Sequence, residues 1–74
     1  MRVTVIGASG RIGRRIVAEA VSRGHEVVAA VRDPAVSNVD FNGRVVGADV
    51  FDPAAVAEAV AGCDVVVSAV GHAA

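Results

Sequence analysis

The chain of 74 residues has no lysine, no tyrosine and no tryptophan, and two phenylalanines are its only aromatic residues. Chemistry that needs a protein amine or phenol is therefore beyond its own side chains. Its seven basic residues (Arg2, Arg11, Arg14, Arg15, Arg23, Arg32 and Arg44) are all arginines, and against eight acidic residues they leave a formal net charge of -1. A surface built on bulk charge for nucleic acid or an anionic membrane is not expected, so any anion site must be local. The single cysteine, Cys63, cannot form an internal disulfide. Met1 leads straight into an apolar segment, with no charged-then-apolar leader, so a reducing, cytoplasmic setting is expected. No uncharged apolar stretch approaches the roughly 18 residues needed to span a bilayer, the longest candidate running from Val65 to the C-terminus.

What is present is apolar. Hydrophobic residues make up 54% of the chain and charged residues 20%, which excludes a disordered tail, while the length limits the protein to one small domain. Such a domain buries only about 60% of the surface its unfolded chain exposes, so its stability margin is thin.

Val3, Thr4, Val5 and Ile6 form a β-branched run that predicts a first strand ending at Gly7. Beyond the glycine-rich segment Gly7 to Gly13, apolar residues at Ile12, Ile16, Val17, Ala20 and Val21 have the spacing of one helical face. Gly24 is placed to end that helix. Glu26 to Val31 reads as a strand buried on both faces. Arg32 to Gly43 holds Asp33-Pro34, Ser37-Asn38 and Asn42-Gly43, all turn formers, and predicts an irregular connection. Val45 and Val46 make a minimal third strand. Asp52-Pro53 supplies an N-cap followed by proline at the first helical position, starting a helix to about Ala61. Val65 to Val70 is a fourth apolar run, closing at Gly71.

The order strand, helix, strand, strand, helix, strand implies parallel pairing through right-handed crossovers. With the first strand central, the expected architecture is α/β: a partial, doubly wound parallel sheet of about four strands in the order 3-2-1-4, with one helix on each face. The first and fourth strands then flank the topological switch point, where open parallel sheets bind ligands. Gly7 to Gly13 and Ala69 to Gly71 would form opposite walls of one site.

The segment Gly7-Ala8-Ser9-Gly10-Arg11-Ile12-Gly13 spaces its glycines GxxGxxG between a strand and a helix. In that setting Gly7 permits a tight turn, Gly10 lets the backbone approach a phosphate, and Gly13 lets the helix pack closely on the sheet. Amides of Ser9 to Ile12 would face a pyrophosphate at the positive end of the helix dipole. The competing reading is a purely structural loop. Arg11, Arg14 and Arg15 oppose that dipole unless an anion is bound. Arg11 lies in the loop and is assigned to the phosphate. Arg14 and Arg15 are read as solvated, with Glu19 four residues from both Arg15 and Arg23 as their partner on the helix surface.

The end of the second strand sets dinucleotide preference, since an acidic residue there accepts from the ribose 2′-OH and an arginine pairs with a 2′-phosphate. Arg32 and Asp33 lie 19 and 20 positions after Gly13. Arg32 comes first and Asp33 precedes a proline, which favours NADP(H), with NAD(H) the alternative. His25 and His72 have no visible partner for general-base work, Asp52 is explained as an N-cap, and Cys63 as a small buried residue. No metal-ligand spacing and no serine-histidine-acid set is present.

Four segments, Val5 to Gly13 (VIGASGRIG), Gly24 to Pro34 (GHEVVAAVRDP), Gly47 to Pro53 (GADVFDP) and Ala61 to Gly71 (AGCDVVVSAVG), occur in an order that resembles the N-terminal half of an atypical short-chain dehydrogenase/reductase. The group in question is NAD(P)H-binding and includes NmrA-like, NADH-flavin reductase-like and biliverdin reductase B-like proteins. The resemblance implies that Arg32 contacts a 2′-phosphate and that Asp49 and Val50 bracket the adenine. It also implies that Ala69, Val70 and Gly71 pass under the ribose next to nicotinamide. Residues 1–74 would then be the N-terminal part of a dinucleotide-binding domain whose remainder carries the nicotinamide pocket and the site for a small-molecule substrate. The activity implied is that of an NADPH-dependent flavin- or quinone-type reductase. The alternatives are a non-catalytic dinucleotide sensor and a sugar-nucleotide epimerase or dehydratase. No residue of this chain is assigned as a catalyst. The fourth strand is expected to be an exposed apolar edge, a route to association with another chain.

Overall fold

The computed structural model describes residues 1–33 and 43–70. Its elements are β1 (Arg2–Ile6), α1 (Arg11–Ser22), β2 (Glu26–Val31), β3 (Arg44–Gly47), α2 (Pro53–Val60) and β4 (Val65–Ser68). All strand pairs are parallel and the sheet order is β3-β2-β1-β4, as expected. The middle of the expected irregular connection, 34–42, lies outside the described residues, as do Gly71 and His72.

Alternation along the central strands sorts the core into two layers. Val3 and Val5 of β1 and Val27, Ala29 and Val31 of β2 pack with Val17, Ile16, Ala20 and Val21 of α1. The opposite face joins Ala30, Ile6 and Val46 to Ala55 and Ala59 of α2. Each helix thus covers one face of the sheet. Thr4 is fully buried on the α2 side, and its hydroxyl donates to the Ala59 carbonyl at 3.1 Å. That bond satisfies a carbonyl of the last helical turn, which has no partner within the helix.

Both helices end and begin for local reasons. At the end of α1, Gly24 has φ +82°, its N–H donates to the Val21 carbonyl at 3.0 Å, and the His25 N–H donates to Ala20 at 3.1 Å. This is a Schellman closure, which needs the left-handed residue that glycine supplies. At the start of α2, Asp52 Oδ1 accepts from the amides of Ala54 and Ala55, with Pro53 in the first turn.

Two expectations need correction. Ile12 does not join the buried face of α1 but is 67% exposed. In the same first turn it is Gly13 that faces the β1 end, against Gly7 and Ala8, and the neighbouring Ile12 side chain is left in solvent. The fourth apolar run is a strand only to Ser68 rather than to Val70; as expected it is an apolar edge, paired with β1, and Val65 and Val66 are exposed. A continuous apolar run signals burial on both faces only where neighbouring elements exist on both. Among the described residues, no helix is long and apolar enough to cross a membrane.

Candidate functional site

The turn from β1 to α1 is assembled by its glycines, each under a different constraint. Gly7 has φ +79°, a region that L side chains rarely adopt, and its N–H and that of Ala8 both donate to the Ala30 carbonyl of β2, at 3.1 and 3.2 Å. A methyl group added at Gly7 would lie 3.1 Å from the Val70 nitrogen and 3.2 Å from the Ala69 carbonyl carbon. The segment after β4 therefore runs directly against the glycine turn, joining the two walls expected from topology. At Gly13 a methyl group would fall directly on the Gly7 carbonyl oxygen, so the helix can start this close to the turn only without a side chain.

Gly10 is different. Its φ of -73° and ψ of 169° are open to any residue. Among the described residues, a methyl group there would meet only the Gly7 oxygen, at the ordinary contact distance of 3.5 Å. Neither backbone conformation nor internal packing requires glycine at this position. A bare backbone is needed there only if something from outside must approach it.

The amides beside Gly10 point to the same conclusion. No side chain caps α1, and no acidic residue lies in its first turn. Among the described residues, the N–H groups of Ser9, Arg11, Ile12 and Gly13 donate to no protein acceptor, whereas Gly10 N–H closes onto the Gly7 carbonyl at 3.2 Å. Arg11, Arg14 and Arg15 are exposed at this end of the helix. The expected sharing of Glu19 between Arg15 and Arg23 does not occur: Glu19 pairs with Arg23 at 2.8 Å, and Arg15 has no ion partner among the described residues. Glutamate is better placed N-terminal to its cationic partner at this spacing, which is the arrangement with Arg23. The start of α1 thus combines unsatisfied donors with uncompensated positive charge, a combination suited to a phosphate-bearing ligand.

The ends of β2 and β3 lie side by side, because the Ala48 N–H donates to the Val31 carbonyl at 2.7 Å. Arg32, next in the chain after Val31, is exposed there. Asp49 Oδ1 accepts from the Phe51 N–H at 2.9 Å and the Asp49 carbonyl accepts from Asp52 N–H, also at 2.9 Å. One carboxylate oxygen of Asp49 is thereby occupied in shaping its own turn. Val50 is 41% exposed and Phe51 87%. Together with Ile12 and Val70, these residues bring exposed apolar side chains to the carboxyl end of the sheet. Phe51 escaped the sequence reading. Its signal was an aromatic in an aromatic-poor chain, but its exposure depends on packing that local pattern does not specify.

The opposite end of the sheet is closed by charge pairing. The Arg2 guanidinium meets Glu26 at 2.9 Å, and the Arg2 N–H donates to Asp64 Oδ2 at 2.8 Å, tying β1 to β2 and to the approach to β4. The hydrogen bond from Arg2, and then its charge, hold the Glu26 carboxyl below its ordinary value. Among the described residues, no group of three or more His, Cys, Asp or Glu could hold a metal ion.

Comparison with known proteins agrees with this geometry. A protein-family model described as NAD(P)H-binding matches residues 7–74. The crystal structure of a candidate NADH-flavin reductase from Streptococcus pneumoniae is 38% identical, with a TM-score of 0.78 over 100% of this chain and 33% of that one. A short-chain dehydrogenase/reductase superfamily protein from Agrobacterium tumefaciens, solved with bound NAD, is 25% identical, with a TM-score of 0.78 over 100% of this chain and 21% of that one. The 3-diazoavenalumate denitrifying reductase of a Streptomyces species is 48% identical over 60 residues, covering 81% of this chain and 19% of that protein. The chain spans from 8% to about a third of the length of the curated relatives it matches.

Proposed function

Since this chain belongs to the NAD(P)H-binding family of oxidoreductase-like proteins, we propose that it is the N-terminal, cofactor-binding part of an NADPH-dependent reductase of the flavin- or quinone-reductase type. The observation that carries the reading is the open start of α1, where four amides lack acceptors among the described residues, beside a glycine that the described fold does not require. On this reading the pyrophosphate sits on the free amides of Ser9, Arg11 and Ile12, the Gly10 amide being taken by the Gly7 carbonyl, with Gly7, Gly10 and Gly13 shaping the turn and Arg11 adding charge. Arg32 pairs with the 2′-phosphate. Asp49 and Val50 border the adenine, while Ala69, Val70 and Gly71 run under the nicotinamide ribose. The bound dinucleotide supplies the hydride, and this chain supplies position and electrostatics. The substrate site belongs to further sequence, and the setting is cytoplasmic.

Calorimetry on Arg32→Glu tests the choice of cofactor. Removing a charge-assisted bond and adding repulsion should weaken NADP(H) by about tenfold to hundredfold while NAD(H) changes little. An equal loss for both removes Arg32 from the 2′-phosphate. The NAD bound in the Agrobacterium neighbour supports a second reading, use of NAD(H), in which Asp33 accepts from the ribose hydroxyl.

A further inference from the structure

Phe51 is the most exposed large apolar side chain among the described residues, at 87%. Its position in the chain offers a local role that it does not take. It stands immediately before the N-cap Asp52, where a hydrophobic residue commonly folds back onto the fourth residue of the helix, here Val56, as a staple. An aromatic ring with this exposure makes no such packing contact. The turn that carries it is nevertheless held firmly: Asp49 Oδ1 accepts the Phe51 N–H at 2.9 Å, the Asp49 carbonyl accepts from Asp52, and Asp52 caps α2. An apolar ring is thus held out into solvent by a hydrogen-bonded turn, next to the partly exposed Val50.

The sheet defines what lies nearby. A dinucleotide whose pyrophosphate rests at the start of α1 directs its adenosine ribose toward the end of β2. Beyond that ribose, the next strand outward is β3, whose end lies beside that of β2 through the Ala48-to-Val31 hydrogen bond. The turn from 49 to 52 leaves β3 at this edge. A flat base arriving there meets an apolar platform, and stacking is the interaction that an exposed ring offers to any base.

We propose that Phe51 is a positioning residue for the adenine ring, stacking on the base and setting affinity for the adenosine half of the cofactor. The proposal rests on the dinucleotide reading above, and the experiment separates the two. The chain contains no tryptophan or tyrosine, so Phe51→Trp introduces a sole strong fluorophore at the proposed contact. ADP-ribose and 2′,5′-ADP should quench or shift its emission, and nicotinamide mononucleotide should not. In parallel, Phe51→Ala should weaken ADP-ribose by about fivefold or more in calorimetry, with Phe51→Leu intermediate. The melting temperature of Phe51→Ala should be unchanged because the ring is exposed. Intact ADP-ribose binding to the unsubstituted chain, with no effect of Phe51→Ala and no emission change in Phe51→Trp, overturns the stacking role while leaving the dinucleotide site standing. Failure of the unsubstituted chain to bind ADP-ribose or NADP overturns both.

Discussion

The two helices start at equivalent places, each just beyond the carboxyl end of a parallel strand, yet their first turns are built on opposite plans. Asp52 closes α2 with its own carboxylate, and Pro53 removes an amide that would otherwise need an acceptor. At α1 the N-cap is Gly10, which has nothing to accept with, and the nearby charges are arginines of the wrong sign for the helix dipole. Local stability would be improved by a side-chain cap on α1. Its absence, beside a glycine that no contact among the described residues demands, is the feature on which the proposed dinucleotide site rests. The contrast also shows why glycine spacing alone is ambiguous: Gly7 and Gly13 are required by the chain itself, and only Gly10 is left for the ligand.

Substitutions can break this contrast. The largest effect is expected from Gly13→Ala, which forces a methyl group into the Gly7 carbonyl and should destabilise the protein by about 3 kcal/mol in urea unfolding. Gly10→Asp should give α1 the kind of cap that α2 already has. Its melting temperature should hold or rise, while dinucleotide affinity falls by about a hundredfold or more, because the carboxylate takes the amides and repels the phosphates. Lost stability in that variant would mean that Gly10 serves the fold after all. Asp52→Ala should remove the α2 cap, costing about 1 kcal/mol, or roughly 4–8 °C in melting temperature, with dinucleotide affinity retained.

The smallest effect concerns the far end of the sheet. Glu26 has its carboxyl held below the usual 4.5 by Arg2. A lowered folded value means that the pair contributes above the ordinary carboxylate range, and the contribution is lost as pH falls through the lower, folded value. Pair and solvent compete here, since both side chains are exposed, so Glu26→Gln should shift the melting temperature slightly at neutral pH. The gap between the two proteins should close in acid and shrink with salt.

Much of the frame was legible in the residues. Gly24 ends α1 where expected because a left-handed closure suits glycine, and Asp52-Pro53 opens α2 because a cap and a fixed φ are local properties. The site was legible in part. Arg32 emerges directly after the buried run of β2, as its place in the sequence implied. The exposure of Phe51 and Ile12, the choice of Arg23 over Arg15 as partner of Glu19, and the burial of Thr4 against the end of α2 were not. The exposures and the burial depend on what another part of the chain brings to that spot, whereas the choice of Arg23 follows from the order of charges along a single helix.

By itself, the order of β-branched runs, glycines and caps determined the elements, their parallel sense and the location of the glycine turn, because dihedral freedom and side-chain periodicity act over a few neighbours. Only the tertiary structure decided that Gly10 has open space around it, that the amides of Ser9, Arg11, Ile12 and Gly13 find no acceptor among the described residues, and that the segment after β4 lies against Gly7. Those facts are set by distances between residues far apart in the chain, and contacts of that kind form only when the sheet assembles.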